Sequence, residues 1–179
     1  MLTDDLDVKI AGDKPSEDVR RNKIASVQNS SVSSEQIEGA KAVGKAVANS
    51  FIRDAQTEVD EEFRDFDLIL QRRLLLSFTA TVGFEQYISD DTLVGIAQKS
   101  FLDTLGKYDA ELYKTSSDTG AFSFYYLAFR RGSEVERRIG QTFAMLCLHD
   151  GDPIFQELGE ALYCWFSSVV RKAVSEHIK

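Results

Sequence analysis

The stretch His149-Asp150-Gly151-Asp152-Pro153, set between Ser133 and Val174, decides the fold of this chain. Gly151 is free to take the left-handed backbone that ends a helix. Asp152 offers a side-chain oxygen to the open N–H groups of the next helix, and Pro153 suits a first helical turn, where no N–H partner is lost. Apolar residues flank this corner at helical spacing: Ile139, Phe143 and Leu146 before it, then Leu158, Leu162, Trp165, Val169 and Ala173 after it. The stretch therefore reads as an antiparallel helical hairpin. Gly140, Gly159 and Ala161, with little side chain, leave room for its helices to cross closely.

Upstream, Ser33 and Gln36 have the spacing of a capping box, and from there the chain runs to Thr81 with no proline and no glycine after Gly44. A single helix of that length would measure ~70 Å at 1.5 Å per residue, long for a compact domain. Thr57-Glu58-Val59-Asp60, followed by Glu61 and Glu62, supplies the acidic first turn that a new helix favours. We therefore expect one helix over 34–56, with Val43, Val47, Phe51 and Ala55 on one face, and a second over 58–82. An unbroken bent helix is the alternative. The second carries Phe63, Phe66, Leu70, Leu74 and Phe78 on one side and Leu68, Ile69, Leu75 and Leu76 around the rest. A helix so apolar is buried on several sides, which makes it the expected central helix, packed by the hairpin.

Ser89 or Asp90 caps a helix over 91–105, with Leu93, Ile96, Ala97, Phe101 and Leu105 inward, and a short helix is expected at 109–114. The aromatic block Phe122-Ser123-Phe124-Tyr125-Tyr126-Leu127-Ala128-Phe129 is too short for its period to separate strand from helix. It is assigned to a helix because a lone strand would have no partner. Residues 1–32 mix both charges with Ser, Asn and Gln and read as a weakly structured tail, with a thin helical stripe from Pro15 to Val27. The expected fold is all-α: a compact bundle of five to seven helices with a C-terminal antiparallel hairpin, forming a single domain over 33–179.

At 179 residues the chain can bury a core large enough to need no metal or disulfide, and 43% hydrophobic with 28% charged residues is ordinary for a soluble globular domain. A formal net charge of −8 argues against binding nucleic acid through its phosphates. The first ten residues carry Asp4, Asp5 and Asp7 without an apolar run, unlike a secretory signal. The densest apolar run, Leu68 to Phe78, is broken by Gln71, Arg72 and Arg73, so no membrane span is expected and the reading is cytoplasmic. Cys147 and Cys164 fall on different helices at unequal distances from the corner, beyond the ~7 Å that a disulfide tolerates. Both are read as small buried hydrophobes.

Two groups of residues could hold a ligand. Arg130-Arg131-Gly132-Ser133 feeds a helix N-terminus, whose N–H groups and dipole, with Arg137 and Arg138 one turn on, suit a phosphate or carboxylate. Phe122, Tyr125, Tyr126 and Phe129, with Trp165 and Phe166, could line an apolar pocket with phenolic hydroxyls as polar handles. The combined candidate site is Tyr125, Tyr126, Arg130, Arg131, Ser133, Arg137 and Trp165, for a small anionic or aromatic ligand. The plainer account makes Ser133 and Glu136 a capping box, pairs Glu134 with Arg137 or Arg138, and places the aromatics in the core.

No phosphate-binding loop of GxxxxGK[ST] or GxGxxG type occurs, and His149 and His177 lack the spacing of a metal pair. Glu157 and Glu160 near the start of the last helix suit its dipole. Accordingly no catalytic residue, metal or cofactor is assigned. The leading functional expectation is a non-catalytic interaction or regulatory protein that meets a protein partner, or a second copy of itself, through a helical surface. A small-molecule-binding domain is the alternative, and an enzyme whose site is scattered through the sequence is the third.

Overall fold

Side-chain caps set most of the helix boundaries. The computed structural model describes residues 32–56, 66–130 and 132–178, which hold seven α-helices, one 3₁₀ turn and, among the described residues, no strand. The expected tail before Val32, the helix from Pro15 to Val27, Phe63 and the junction near Thr57 lie outside the described residues. Helix α1 (Ser34–Gln56) opens on the capping box: the Gln36 N–H donates to Ser33 Oγ over 3.1 Å, and the Ser33 N–H donates back to Gln36 Oε1 over 3.0 Å. Helix α2 spans Phe66–Tyr87. Asp90 then accepts from the Thr92 and Leu93 N–H groups to start α3 (Asp91–Tyr108). Asp109 does two jobs. Its N–H closes α3 on the Leu105 carbonyl, and its carboxylate accepts from Glu111 and Leu112 to open α4 (Ala110–Ser117). A 3₁₀ turn at Thr119–Phe122 leads into α5 (Ser123–Phe129), and the hairpin follows as α6 (Val135–Leu146) and α7 (Pro153–His177).

Helix α2 is central, touching α7, α3, α4 and the 3₁₀ turn. Its buried residues run almost continuously from Leu74 to Ala80, and on to Val82 and Phe84, so no side of this stretch is wholly polar. Phe78 sits in a ring of aromatics: Tyr125 stacks on it at 5.5 Å, and Phe122, Tyr126 and Phe129 meet it edge-on. Edge-on and offset stacked rings are the favoured geometries of the ring quadrupole. Between α2 and α4 the buried hydroxyls of Ser77 and Ser116 satisfy each other at 2.8 Å. The Arg72 guanidinium of α2 holds the Asp54 carboxylate of α1 with both of its oxygens engaged.

Two glycine crossings bring helix backbones together. A Cβ on Gly44 would lie 2.3 Å from the Ala97 carbonyl oxygen, so α1 packs directly on the backbone of α3. A Cβ on Gly140 would lie 2.3 Å from the Gln156 carbonyl oxygen, and one on Gly159 would lie 2.5 Å from Phe143 Cβ. The hairpin thus crosses where expected. Ala161, in contrast, is exposed and takes no part in the crossing. Of the two hairpin helices, α7 makes most of the contact with α2, while α6 lies on α7 and α5.

Three details of the hairpin depart from the sequence reading. The stripe on α7 is rotated, with Leu162, Tyr163, Phe166, Val170 and Ala173 buried, while Trp165 is 41% exposed and Val169 half-buried. Cys164, on the same outward side as Trp165, is exposed; only Cys147 is the expected buried thiol, and neither cysteine is in a disulfide. Finally, α6 ends at Leu146, five residues before Gly151. The His149 N–H bonds the Ala144 carbonyl and the Leu148 N–H bonds the Met145 carbonyl, which is a Schellman ending with Leu148, not glycine, in the left-handed position at φ 62°. Gly151 (φ 80°) makes the following turn, and Asp152 caps α7 as expected by accepting from the Ile154 N–H.

Candidate functional site

The arginine and aromatic residues singled out in the sequence have different surroundings among the described residues. Tyr125 is fully buried, packed on Phe78, and its hydroxyl has no hydrogen-bond partner among the described residues. Burial, reinforced by the Cys147 thiol, pushes that phenol far above its ordinary value, so it remains neutral. Tyr126 is half-buried, edge-on to Phe78, and the Arg130 guanidinium folds back over its ring at 5.9 Å. Arg131 lies outside the described residues. Ser133 is exposed in a bend and caps nothing, because α6 starts at Val135 after Glu134 in a left-handed conformation with no side-chain cap.

The anion cradle is therefore replaced by ordinary helix chemistry. Glu134 and Glu136 occupy the start of α6, where a negative charge suits the dipole and repels an anionic ligand. Arg137 pairs with Glu134 at 3.7 Å on the surface. Arg138 turns inward, and its Nε donates to the Ala128 carbonyl over 3.3 Å, satisfying one of the open carbonyls at the end of α5. Trp165 leans on Phe166, with ring centroids 5.4 Å apart, and faces solvent. His149 stacks flat on Phe155 at 3.7 Å, fixing the corner, and among the described residues no group of three His, Cys, Asp or Glu side chains could hold a metal.

Beside this region lies a cleft of about 490 Å³, lined by residues such as Tyr87, Glu136, Tyr163, Cys164, Ser167 and Arg171 and by none of the six predicted positions among the described residues. The Tyr87 and Ser167 hydroxyls bond each other at 2.9 Å across it. Burial, with Tyr87, Glu136 and Cys164 nearby, pushes the Tyr163 phenol up to about 12. Burial and the carboxylates of Glu136 and Glu160 raise the Cys164 thiol as well. A neutral phenol and a neutral thiol make this cleft a set of hydrogen-bonding groups without an activated nucleophile.

The outward face of the hairpin end is different in kind. Leu148 is 81% exposed and Ile154 is 73% exposed, and Met145 is exposed one turn before Leu148. Three large apolar side chains thus face water around the hairpin corner. On α5, Phe124 at 54% and Leu127 at 60% exposure face water too. Sequence reasoning missed Met145, Leu148 and Ile154 and named Phe124 and Leu127 only within the aromatic block. The signal was available as apolar residues out of phase with the buried stripe: Met145 and Leu148 beside Phe143 and Leu146, and Ile154 beside Leu158.

No protein-family model, curated protein or solved structure matches this chain. Among the described residues, no helix is long and apolar enough to cross a membrane.

Proposed function

We propose that this chain is a non-catalytic interaction protein that associates through the apolar helical surface at the hairpin end, first of all with a second copy of itself. The observation that carries the reading is Leu148. A leucine held at φ 62° in the left-handed region costs about 1–2 kcal/mol, and here it also turns its side chain into water. The backbone conformation closes α6, which glycine would do without the penalty, whereas an exposed leucine there gains its use from a partner. Met145 at the end of α6 and Ile154 at the start of α7 extend that surface on both sides of the turn, and the exposed Phe124 and Leu127 of α5 would enlarge it. The acidity of the chain opposes self-association by charge, so apolar area must drive it and salt should strengthen it. Two-fold pairing is the commonest way for one surface to bury itself. The location we propose is cytoplasmic, where Cys147 and Cys164 stay reduced.

Molecular mass by light scattering over a range of concentrations tests the reading. The expected result is a mass that rises towards that of a dimer as concentration increases. The paired substitution Leu148→Asp and Ile154→Asp should hold the chain at monomer mass with its helical circular dichroism unchanged. A monomer at every concentration, or a dimer that survives the substitutions, would overturn it. The small-molecule alternative is favoured by a different observation, the cleft between Tyr87 and Arg171, and not by the residues first suggested for it.

A further inference from the structure

We propose that the groove between α1 and α3 binds a small polyphosphate anion. This groove, about 390 Å³ in volume, is lined by Lys41 and Lys45 of α1 and by Lys99 and Lys107 of α3, with the hydroxyls of Ser100 and Thr104 in its floor. In a chain of net charge −8, four ammonium groups share one groove with a single lining carboxylate, Asp103. The crossing at Gly44 explains how they come together. Because α1 rests directly on the backbone of α3 at Ala97 and Phe101, lysines on both helices reach the same opening. Ser100 ties the two helices further by donating from its hydroxyl to the Lys41 carbonyl over 2.8 Å.

Lys41 bonds Glu38 at 2.7 Å on the surface, an exposed pair that costs little to exchange. Among the described residues, Lys45, Lys99 and Lys107 have no carboxylate within ion-pairing distance, Asp103 included, although it sits one turn from both Lys99 and Lys107. Like charges gathered this way repel one another, and an anion that satisfies several of them would stabilise the fold. Lys41 and Lys45, one turn apart, lie about 5–6 Å apart at their Cβ atoms, and Lys99 and Lys107, two turns apart, span ~12 Å along α3, which suits an anion carrying several charges over a short length. Lysine is a compact point charge well suited to phosphoryl oxygens. Among the described residues no aromatic side chain lines the groove to stack on a base; the geometry selects a polyphosphate without a nucleobase over single-stranded nucleic acid.

Titration calorimetry of the whole chain with sodium tripolyphosphate, at low and at physiological ionic strength, tests the assignment. Saturable binding of one anion per chain is expected, weakening as salt rises. The double substitution Lys45→Gln and Lys99→Gln should weaken it by at least about tenfold, equivalent to one lost charge-assisted contact. A charge-matched control, Lys114→Gln with Lys172→Gln, should change it by less than about twofold, since those lysines are outside the groove. The double substitution Lys45→Arg and Lys99→Arg should retain binding, showing that the glutamine variant loses charge and not its fold. Hexaglutamate serves as the competing anion and should bind more weakly. An absence of saturable heat at low ionic strength would overturn the assignment. So would an equal loss in the control pair, loss of binding in the arginine variant, or tighter binding of hexaglutamate.

Discussion

Leu148 shows how one backbone position can serve two ends. Glycine would adopt φ 62° without the steric penalty, so Leu148→Gly removes strain from the native state while giving the unfolded chain more freedom. The balance should favour the variant by about 0.5–1 kcal/mol, which raises the midpoint of thermal unfolding by roughly 1–4 °C for a domain of this size. The same variant should associate more weakly. A stability gain coupled to an association loss is what a side chain kept for a partner predicts, whereas loss of stability would mean that Leu148 serves the fold. Cys164 offers a second test at this scale. Its thiol lies above the ordinary value of 9.0, because of burial and then the charges of Glu136 and Glu160, so it is protonated at neutral pH. Alkylation by iodoacetamide should therefore be slower at pH 8 than in the unfolded chain, and its midpoint should lie at higher pH. Cys147, being buried, should label only on unfolding. A folded-state rate that has already levelled off by pH 8 would contradict this.

The elements were largely written in the sequence, because local capping chemistry and apolar period point the same way at most boundaries. Ser33 with Gln36, Asp90, Asp109 and Asp152 all begin helices through side-chain oxygens, and none of these needs distant contacts to act. The failures come from decisions that tertiary packing makes. Which of two adjacent residues on α7 faces inward, Trp165 or Phe166, depends on where α1, α2 and α6 lie around it, and periodicity alone cannot fix that phase. Leu148 took the left-handed position although Gly151 was the better candidate by residue type. The partners of the candidate arginines were equally hidden: Arg130 and Arg138 turn to Tyr126 and the Ala128 carbonyl of α5, and Arg137 turns to Glu134.

A matched pair of glycine substitutions tests the packing of elements. Glycine to alanine in an exposed helix interior gains roughly 0.5–1 kcal/mol, and Gly95 in α3 has nothing within 4 Å of the new methyl group. Gly95→Ala should accordingly be stabilising. At Gly140 the methyl group would meet the Gln156 carbonyl oxygen at 2.3 Å, and backbone must move to admit it. Gly140→Ala should cost about 1–3 kcal/mol in spite of its better helix propensity. Denaturant unfolding of the two variants reads both signs. If Gly140→Ala were neutral, the hairpin crossing would be wider than described.

At the scale of the whole molecule, the chain sorts its surface into regions of different chemistry. The hairpin corner exposes Met145, Leu148 and Ile154, while the α1–α3 groove gathers lysines on a chain that is acidic overall. The core is built around α2 and the aromatic ring at Phe78. Placement of the associating surface at the hairpin end is the claim on which the functional account rests. Hydrogen–deuterium exchange, compared between dilute and concentrated protein, tests it most directly. The account predicts slower exchange on concentration confined to residues 123–128 and 144–156. Protection elsewhere, as along α1 and α3, or no concentration dependence at all, would contradict it.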